Sequence, residues 1–367
     1  MSQPARATWV ELDLGALSRN VAAMVRELGG VPLMVVVKAQ AYGHGAVPVA
    51  RAALAAGASR LAAATLDEAL ELRHAGLRCP VLVLGHTPVE RMAEAVAEEV
   101  ALTVFEPGQL TGAIQAGTRP APARIHLKVD TGMSRLGFPP EGLEAAVAAA
   151  ESSGAVILEG VCTHFRKGQD DAATKAQLER FLGALAQAEA AGPREWLRHA
   201  GSSAAWRLPA ARLDLVRSGI EVLGMVTPDG RRREPVLSWH ARVVQVRTIE
   251  AGTHVSYGDS FTARQRMQVA TLPVGYADGF RRGPRHWGSV LLGGVERPLL
   301  GDVTMDMTMV DVSQPPQVDP GALATLIGRQ GQSEISAEEA ARRLGTINYE
   351  VTTQISGRVP RVERAAD

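Results

Sequence analysis

Lys38 ends a run of three valines and stands directly before a turn that contains glycine and tyrosine, in the stretch VVVKAQAYGHG at residues 35–45. Apolar surroundings penalise the charged form of a lysine and therefore lower its pKa. The neutral amine that results can attack a carbonyl group and form a Schiff base. A lone lysine in this position would more simply leave the strand for solvent. The prediction of a Schiff-base lysine therefore depends on what lies elsewhere in the chain.

Small residues follow two later apolar runs, in the turns HAGSSAA and RSGI. The first turn contains Ser203, and the second contains Gly219 and Ile220 directly after Arg217 and Ser218. Small residues and backbone amides of this kind bind phosphate at the rim of a barrel, although a single serine there is equally a helix cap. A Schiff-base lysine and a phosphate site together indicate pyridoxal phosphate as the cofactor.

Arg217 is predicted to lie near the pyridine nitrogen of such a cofactor, where Asp or Arg is the usual partner. Arginine keeps its proton, so the nitrogen would stay unprotonated and the ring would be a weaker electron sink. This arrangement favours simple removal and return of a proton.

Eight short apolar runs alternate with alanine-rich helical stretches over the first two-thirds of the chain, and this pattern predicts a (β/α)₈ TIM-like barrel of the α/β class. The runs cover residues 33–37, 61–65, 81–84, 101–104, 124–129, 156–161, 196–199 and 213–216. The helical stretches cover residues 47–56, 66–74, 89–98, 106–116, 141–151 and 171–191. An open doubly wound sheet is the alternative, but it usually has fewer strands, and no GxGxxG follows the first run.

From about Arg231 the predicted secondary structure changes to strands with little helix between them. The expected strands cover residues 236–246, 254–256, 268–274, 290–292, 298–300, 307–312 and 323–327. A helix is expected at residues 337–344, with a capping box formed by Ser336 and Glu339. We therefore predict a barrel domain at residues 1–233, whose first ten residues pack on the second domain, and a mostly β domain at residues 234–367.

The composition narrows the class of protein further. The chain has 367 residues with 39 basic and 39 acidic side chains, so neither nucleic acid nor an anionic membrane is expected as a partner. Two cysteines provide neither a disulfide framework nor a zinc cage, and no metal is expected. No signal peptide or membrane span is evident, which predicts a cytoplasmic location.

These motifs resemble those of the alanine racemase family, pyridoxal-phosphate enzymes that interconvert L- and D-alanine, and the resemblance covers nearly the whole chain. VKAQAYGHG resembles the family's cofactor-lysine motif, HLKVDTGMSRLG its barrel-strand motif, THF its histidine motif and VRSGI its cofactor-arginine motif. The resemblance implies that Lys38 binds the cofactor covalently and that Arg135 contacts both cofactor and substrate carboxylate. It also implies a hydrogen bond between His164 and Arg217. The phosphate ligands that it implies are Tyr42, Ser203, Gly219, Ile220 and Tyr349.

The second domain carries further family motifs. VSYG resembles the motif of the second catalytic base, here Tyr257, and LPVGYADG follows with Tyr276. TMDM resembles the family's CMD motif and places Met305 and Asp306 at the substrate. The resemblance implies a homodimer in which Tyr257 and Met305 reach the lysine of the other subunit. It further implies a two-base reaction through an external aldimine, with Lys38 on the D side, Tyr257 on the L side, and D-alanine supplied for peptidoglycan.

Several positions depart from the family pattern. Gln40 replaces Asn or Asp, Ser202 replaces Asn, Ser218 replaces Pro, EVLG replaces ALYG at residues 221–224, Thr304 replaces Cys, and Asp302 stands where Arg is frequent. These departures leave a broader-specificity amino-acid racemase as the alternative function. A decarboxylase of similar architecture and a non-catalytic pyridoxal-phosphate protein are more distant alternatives. Family members can carry a carbamylated lysine at the position of Lys128, which the sequence does not decide.

Overall fold

The computed structural model describes residues 6–190, 195–201, 203–227 and 230–364. They form a closed eight-stranded parallel barrel and a ten-stranded, mainly antiparallel sheet. The predicted (β/α)₈ barrel followed by a mostly β region is thereby confirmed. No helix in the described ranges is both long and apolar enough to cross a membrane.

The chain begins with a strand that belongs to the larger sheet and not to the barrel. This strand, β1 (Thr8–Leu12), pairs antiparallel with residues 237–241. Helix α1 (Leu14–Leu28) follows, with Asp13 accepting from the backbone nitrogen of Ala16 at its start and Gly29 in the left-handed conformation at its end. The alternation that identified the barrel did not include this strand and helix.

The eight barrel strands are short, as expected for parallel strands that are covered on both sides. They are β2 (Leu33–Val36), β3 (Arg60–Ala63), β4 (Val81–Val83), β5 (Ala101–Val104), β6 (Ala123–Lys128), β7 (Val156–His164), β8 (Leu197–Gly201) and β9 (Leu215–Ser218). Pairing of β2 with β9 closes the barrel. Each predicted apolar run overlaps one of these strands.

Helices or short turns connect the barrel strands. They are α2 (Lys38–Gly43), α3 (Ala46–Ala55), α4 (Leu66–His74), α5 (Met92–Ala97), α6 (Pro107–Ala116), α7 (Leu143–Ser153), α8 (Asp171–Glu189) and α9 (Ala204–Arg207). The alanines of these helices are small enough to pack closely on the strands, and many of them are buried. The predicted stretch 66–74 coincides with α4, whose first turn is closed by a capping box of Thr65 and Glu68.

The second region is built from mainly antiparallel strands and two helices. They are β10 (Leu237–Arg242), β11 (Gln245–Ile249), β12 (Met267–Leu272), β13 (Ser289–Leu292), β14 (Val295–Leu300), β15 (Thr308–Asp311), β16 (Leu323–Gln330), β17 (Ser333–Ile335), α10 (Ala337–Leu344), α11 (Asn348–Thr353) and β18 (Arg361–Glu363). Trp239, Phe280 and Trp287 form an aromatic cluster in its core, with ring centroids 4.6 to 5.9 Å apart.

Three expectations for this region were wrong. The single strand expected at 236–246 is two strands, because β10 pairs with β1 and β16 whereas β11 pairs with β12. Residues 254–256 form only an isolated bridge from His254 to Thr262. Only half of the expected capping box is present: the Ser336 hydroxyl accepts from the nitrogen of Glu339, while the Glu339 carboxylate accepts from Arg342 and Arg343.

Candidate active site

Strand β2 carries Lys38 to the carboxyl-terminal rim of the barrel, and the next four residues turn with left-handed backbone angles. The φ angles of Ala39, Gln40, Ala41 and Tyr42 are 50°, 53°, 49° and 54°. This conformation costs roughly 1–2 kcal/mol for each residue that has a Cβ atom. Four such residues in succession therefore require stabilising contacts from the surroundings.

Two carboxylates on α4 provide those contacts. The nitrogen of Ala39 donates to Glu68 at 2.7 Å, and the side chain of Gln40 donates to Glu71 at 2.7 Å. The side-chain oxygen of Gln40 also accepts from the nitrogen of Ala46 at 3.1 Å, at the start of α3. The departure from the family pattern at Gln40 thus has a structural role, because this amide ties the left-handed turn to both neighbouring helices.

The end of the turn packs against the second region. A Cβ atom on Gly43 would lie 1.9 Å from the carbonyl oxygen of Thr352, so only glycine fits there. Arg361 donates to the carbonyl of Gly43 at 3.0 Å. His44 is fully buried, with its Nδ1 3.2 Å from the carbonyl of Tyr42, and burial lowers its pKa to about 4. These contacts give His44 a structural role in the loop after Lys38.

The environment of Lys38 lowers the pKa of its amine. Burial is the largest cause, and the positive charges of Arg135 and Arg217 act in the same direction. The carboxylate of Glu68 opposes them. A larger fraction of the amine is therefore neutral near pH 7 than in a solvent-exposed lysine, as a nucleophile requires.

A cavity of about 310 Å³ opens at this rim. Eight of the residues predicted for the site line it, namely Lys38, Tyr42, His164, Ser203, Arg217, Gly219, Ile220 and Tyr349. They come from the ends of four barrel strands and from α11. Ser203 precedes α9 without a side-chain capping hydrogen bond, so the alternative of a plain helix cap does not account for its hydroxyl.

One end of the cavity is formed by tyrosines and a glycine. A Cβ atom on Gly219 would lie 2.5 Å from the hydroxyl oxygen of Tyr42. The phenol of Tyr42 therefore occupies the space that a side chain at position 219 would need. The rings of Tyr42 and Tyr349 meet edge to face, 6.0 Å apart. Burial raises the pKa of Tyr42, so its hydroxyl stays protonated and can donate a hydrogen bond.

The other end contains Arg217, which is buried. Its Nη2 donates to the carbonyl of Thr163 at 2.6 Å, and its Nε has no hydrogen-bond partner among the described residues. The expected hydrogen bond from His164 to Arg217 is not among the contacts of the described residues. Burial and the charge of Arg217 lower the pKa of His164 to about 3, so this imidazole is neutral.

The remaining predicted residues do not line the cavity. Arg135 is exposed, but its charge acts on Lys38. Tyr257, Met305 and Tyr276 are 68%, 53% and 43% exposed. Asp306 is paired with Arg358 at 2.5 Å. Within one chain, the barrel residues of the predicted site other than Arg135 therefore come together with Tyr349 of α11, whereas Tyr257, Tyr276, Met305 and Asp306 do not join them.

Other departures from the family pattern have local partners. Asp302 is paired with Arg282 at 2.9 Å, and the Thr304 hydroxyl donates to the carbonyl of Met307 at 2.9 Å. Ser202 lies outside the described residues. Lys128 is largely buried, which lowers the pKa of its amine, and it donates to the carbonyl of Leu136.

Sequence reasoning did not identify Glu68, Glu71 or Arg361 as parts of the site. Glu68 closes the capping box of α4 with Thr65, and the same carboxylate also accepts from the nitrogen of Ala39. The hydrogen bond from Arg361 to Gly43 joins residues 318 positions apart, and no local sequence pattern predicts it.

This fold and this site define a class: a barrel enzyme in which a lysine of lowered pKa and a buried arginine line one cavity at the carboxyl-terminal rim. The chain matches the family descriptions "Alanine racemase, N-terminal domain" over residues 12–227 and "Alanine racemase, C-terminal domain" over residues 236–363. It belongs to the alanine racemase family and is an enzyme, an isomerase.

Individual relatives agree with this assignment. The chain is 43% identical to the alanine racemase of Symbiobacterium thermophilum over 365 residues, 97% of each protein. The crystal structure of the alanine racemase of Bacillus anthracis, described as having L-Ala-P bound, is 38% identical, with a TM-score of 0.92 over 99% of this chain and 96% of that one. The alanine racemase structure from E. faecalis is 33% identical, with a TM-score of 0.91 over 98% of both chains. All three carry the same name, which favours an alanine racemase over the broader-specificity alternative.

Proposed function

We propose that this chain racemises alanine with pyridoxal phosphate held in the cavity beside Lys38. The observation that carries the proposal is that Lys38, whose pKa is lowered by burial, lines one cavity with Arg217, Tyr42 and Gly219. The donor set fits the cofactor: the Nε of Arg217 lacks a protein partner among the described residues, and the phenol of Tyr42 can donate.

Each group has a distinct task in this proposal. The amine of Lys38 would hold the cofactor, and Tyr42, Ser203, Tyr349 and the amides of Gly219 and Ile220 would bind its phosphate. Arg217 would donate to the ring nitrogen. When bound, the cofactor acidifies the Cα–H bond of alanine by withdrawing electrons. Arg135 would orient the carboxylate of the substrate.

The proton is moved by two bases that lie on opposite faces of the substrate. Lys38 would exchange the Cα proton on the D side, and Tyr257 of the partner subunit on the L side. Met305, Tyr276 and Asp306 of the partner subunit would border the substrate. Tyr257, Met305 and Tyr276 are exposed on neighbouring, hydrogen-bonded loops, which supports a homodimer because grouped exposed apolar side chains mark interaction surfaces.

We propose further that the barrel domain ends near residue 233 and the β domain begins near residue 234, with β1 packed on the latter. Two cysteines without a disulfide fit a reducing, cytoplasmic location, where D-alanine would supply peptidoglycan synthesis.

Hydrogen exchange at Cα tests the two-base proposal directly. In deuterated water, the Tyr257→Phe variant is expected to exchange the Cα hydrogen of D-alanine and to lose exchange with L-alanine, because only Lys38 remains as a base. NMR of each enantiomer measures this. Exchange that persists unchanged in both enantiomers would show that Tyr257 is not a base.

A further inference from the structure

Two positions that depart from the family motif are bonded to each other beneath the proposed phosphate turn. The hydroxyl of Ser218 donates to Oε2 of Glu221 at 2.8 Å, and the indole nitrogen of Trp206 donates to the same oxygen. The three residues are 4%, 6% and 7% exposed. A buried carboxylate is costly unless it is hydrogen-bonded, so this one must be part of a defined arrangement.

The hydrogen bond from Ser218 to Glu221 spans Gly219 and Ile220, two residues that line the cavity. A proline at position 218, as in the resembled motif, would restrict the backbone at that point by fixing φ near about −65°. Serine provides no such restriction. The side-chain bond to Glu221 closes the same turn by different means.

Two arginines also contact the ring of Trp206. The guanidinium carbons of Arg231 and Arg233 lie 5.8 and 5.6 Å from the centroid of its ring, within the range of a cation–π interaction. Trp206 therefore presents its indole nitrogen to Glu221 from a fixed position, on the short helix that follows β8.

We propose that Glu221 is a positioning residue, which with Ser218 and Trp206 holds the turn at Gly219 and Ile220 in the conformation that binds the phosphate of the cofactor. This inference rests on the proposed function. A carboxylate repels a phosphate, so the contribution of Glu221 comes from its hydrogen bonds and not from its charge. Geometry and charge can therefore be separated by substitution.

The test compares the dissociation constants of pyridoxal phosphate and of pyridoxal, which lacks the phosphate, for the cofactor-free protein by absorbance and fluorescence. Ser218→Ala is expected to weaken pyridoxal phosphate binding about tenfold, the effect of losing about one hydrogen bond. Glu221→Ala removes the bonds from both Ser218 and Trp206 and is expected to weaken it at least as much. The double variant is expected to be no weaker than Glu221→Ala, because both changes remove the same bond. Pyridoxal binding should change far less than pyridoxal phosphate binding.

Two further variants separate the effect of the hydrogen bonds to Glu221 from the effect of its charge. Glu221→Gln keeps an oxygen that can accept from Ser218 and Trp206, so it is expected to bind pyridoxal phosphate at least as tightly as the unaltered protein. Ser218→Pro with Glu221→Ala installs the residues of the resembled motif at both positions and is expected to recover most of the affinity that Glu221→Ala loses. Glu94→Ala, which removes a surface carboxylate paired with Arg91, is the matched control.

Several results would overturn the proposal. Equal affinity of Glu221→Ala and the unaltered protein would do so, as would equal losses for pyridoxal phosphate and pyridoxal, since a general loss of structure affects both. If Glu221→Gln binds pyridoxal phosphate as weakly as Glu221→Ala, the charge of Glu221 matters and its hydrogen bonds do not. If the unaltered protein binds no pyridoxal phosphate, the proposed function fails instead. Should Glu221→Ala not fold, Ser218→Ala and Glu221→Gln still decide the question.

Discussion

At the scale of single residues, the chemistry of the site depends on the state of one amine. Burial and two neighbouring arginines lower the pKa of Lys38, while Glu68 opposes them. The Lys38→Ala variant is therefore expected to lose the absorbance band near about 420 nm that appears when pyridoxal phosphate is added to the protein. Lys175→Ala, which changes an exposed lysine on α8, should retain it. A band that survives in Lys38→Ala would place the attachment on another amine.

A second residue-scale prediction concerns Gly219. Its Gly219→Ala variant places a Cβ atom 2.5 Å from the hydroxyl oxygen of Tyr42, so either the phenol or the turn must move. Overpacking of this kind costs about 1–3 kcal/mol, and a cost of that size in the cofactor complex weakens cofactor binding about 5- to 150-fold. Gly183→Ala is the control, because a Cβ atom there meets nothing within 4 Å. Titration with pyridoxal phosphate measures both, and equal affinities would contradict the close approach.

At the scale of elements, the left-handed turn after Lys38 is the least expected feature of the fold. Glu68 accepts from the nitrogens of both Ala39 and Ala64 at 2.7 Å. Glu68→Ala removes both bonds and is expected to lower the free energy of unfolding by about 1–3 kcal/mol. Glu71→Ala releases only the exposed amide of Gln40 and should cost less than about 1 kcal/mol. Chemical denaturation of both variants measures the difference, and equal losses would contradict this role of Glu68.

Some of these elements could be predicted from the sequence alone, and others could not. Alternating apolar runs and helices predicted the barrel because parallel strands buried on both faces leave that pattern in any chain. The left-handed turn was not predictable, since Ala39, Gln40 and Tyr42 have no intrinsic preference for positive φ. Contacts with α3, α4 and the distant Arg361 stabilise it, and contacts of this range leave no local pattern. The division of 236–246 into two strands likewise follows from which neighbours each half pairs with.

The site itself divides in the same way. The family motifs predicted the residues that line the cavity, whereas the carboxylates that support it were not predicted. Glu68 accepts both from the first turn of its own helix and from the turn after Lys38, and the second contact joins residues 29 positions apart. The sequence showed Glu221 as part of an altered motif, but not its hydrogen bond with Ser218, which forms only in the folded chain.

At the scale of the whole molecule, buried neutral histidines make stability depend on pH. Burial lowers the pKa of His44 to about 4 and that of His164 to about 3, from 6.5 in the unfolded chain. Below pH 6.5 the unfolded state therefore binds protons that the folded state does not, and the free energy of unfolding falls as the pH decreases. The Tm is expected to be lower at pH 5 than at pH 7. His44→Gln should reduce this difference and His286→Gln, at an exposed position, should not. An unchanged pH dependence in His44→Gln would contradict the neutral state of His44.

The central claim for the molecule is that each active site needs two chains, with Lys38 from one and Tyr257 from the other. Mixing the Lys38→Ala and Tyr257→Phe variants tests it most directly, because a mixed dimer contains one site with both bases and one site with neither. Each variant alone is expected to be inactive in alanine racemisation. After dissociation and reassociation of an equal mixture, racemisation measured by circular dichroism should reach about a quarter of the unaltered activity, the share of complete sites that random pairing gives. Activity no greater than the sum of the two separate variants would contradict a shared site.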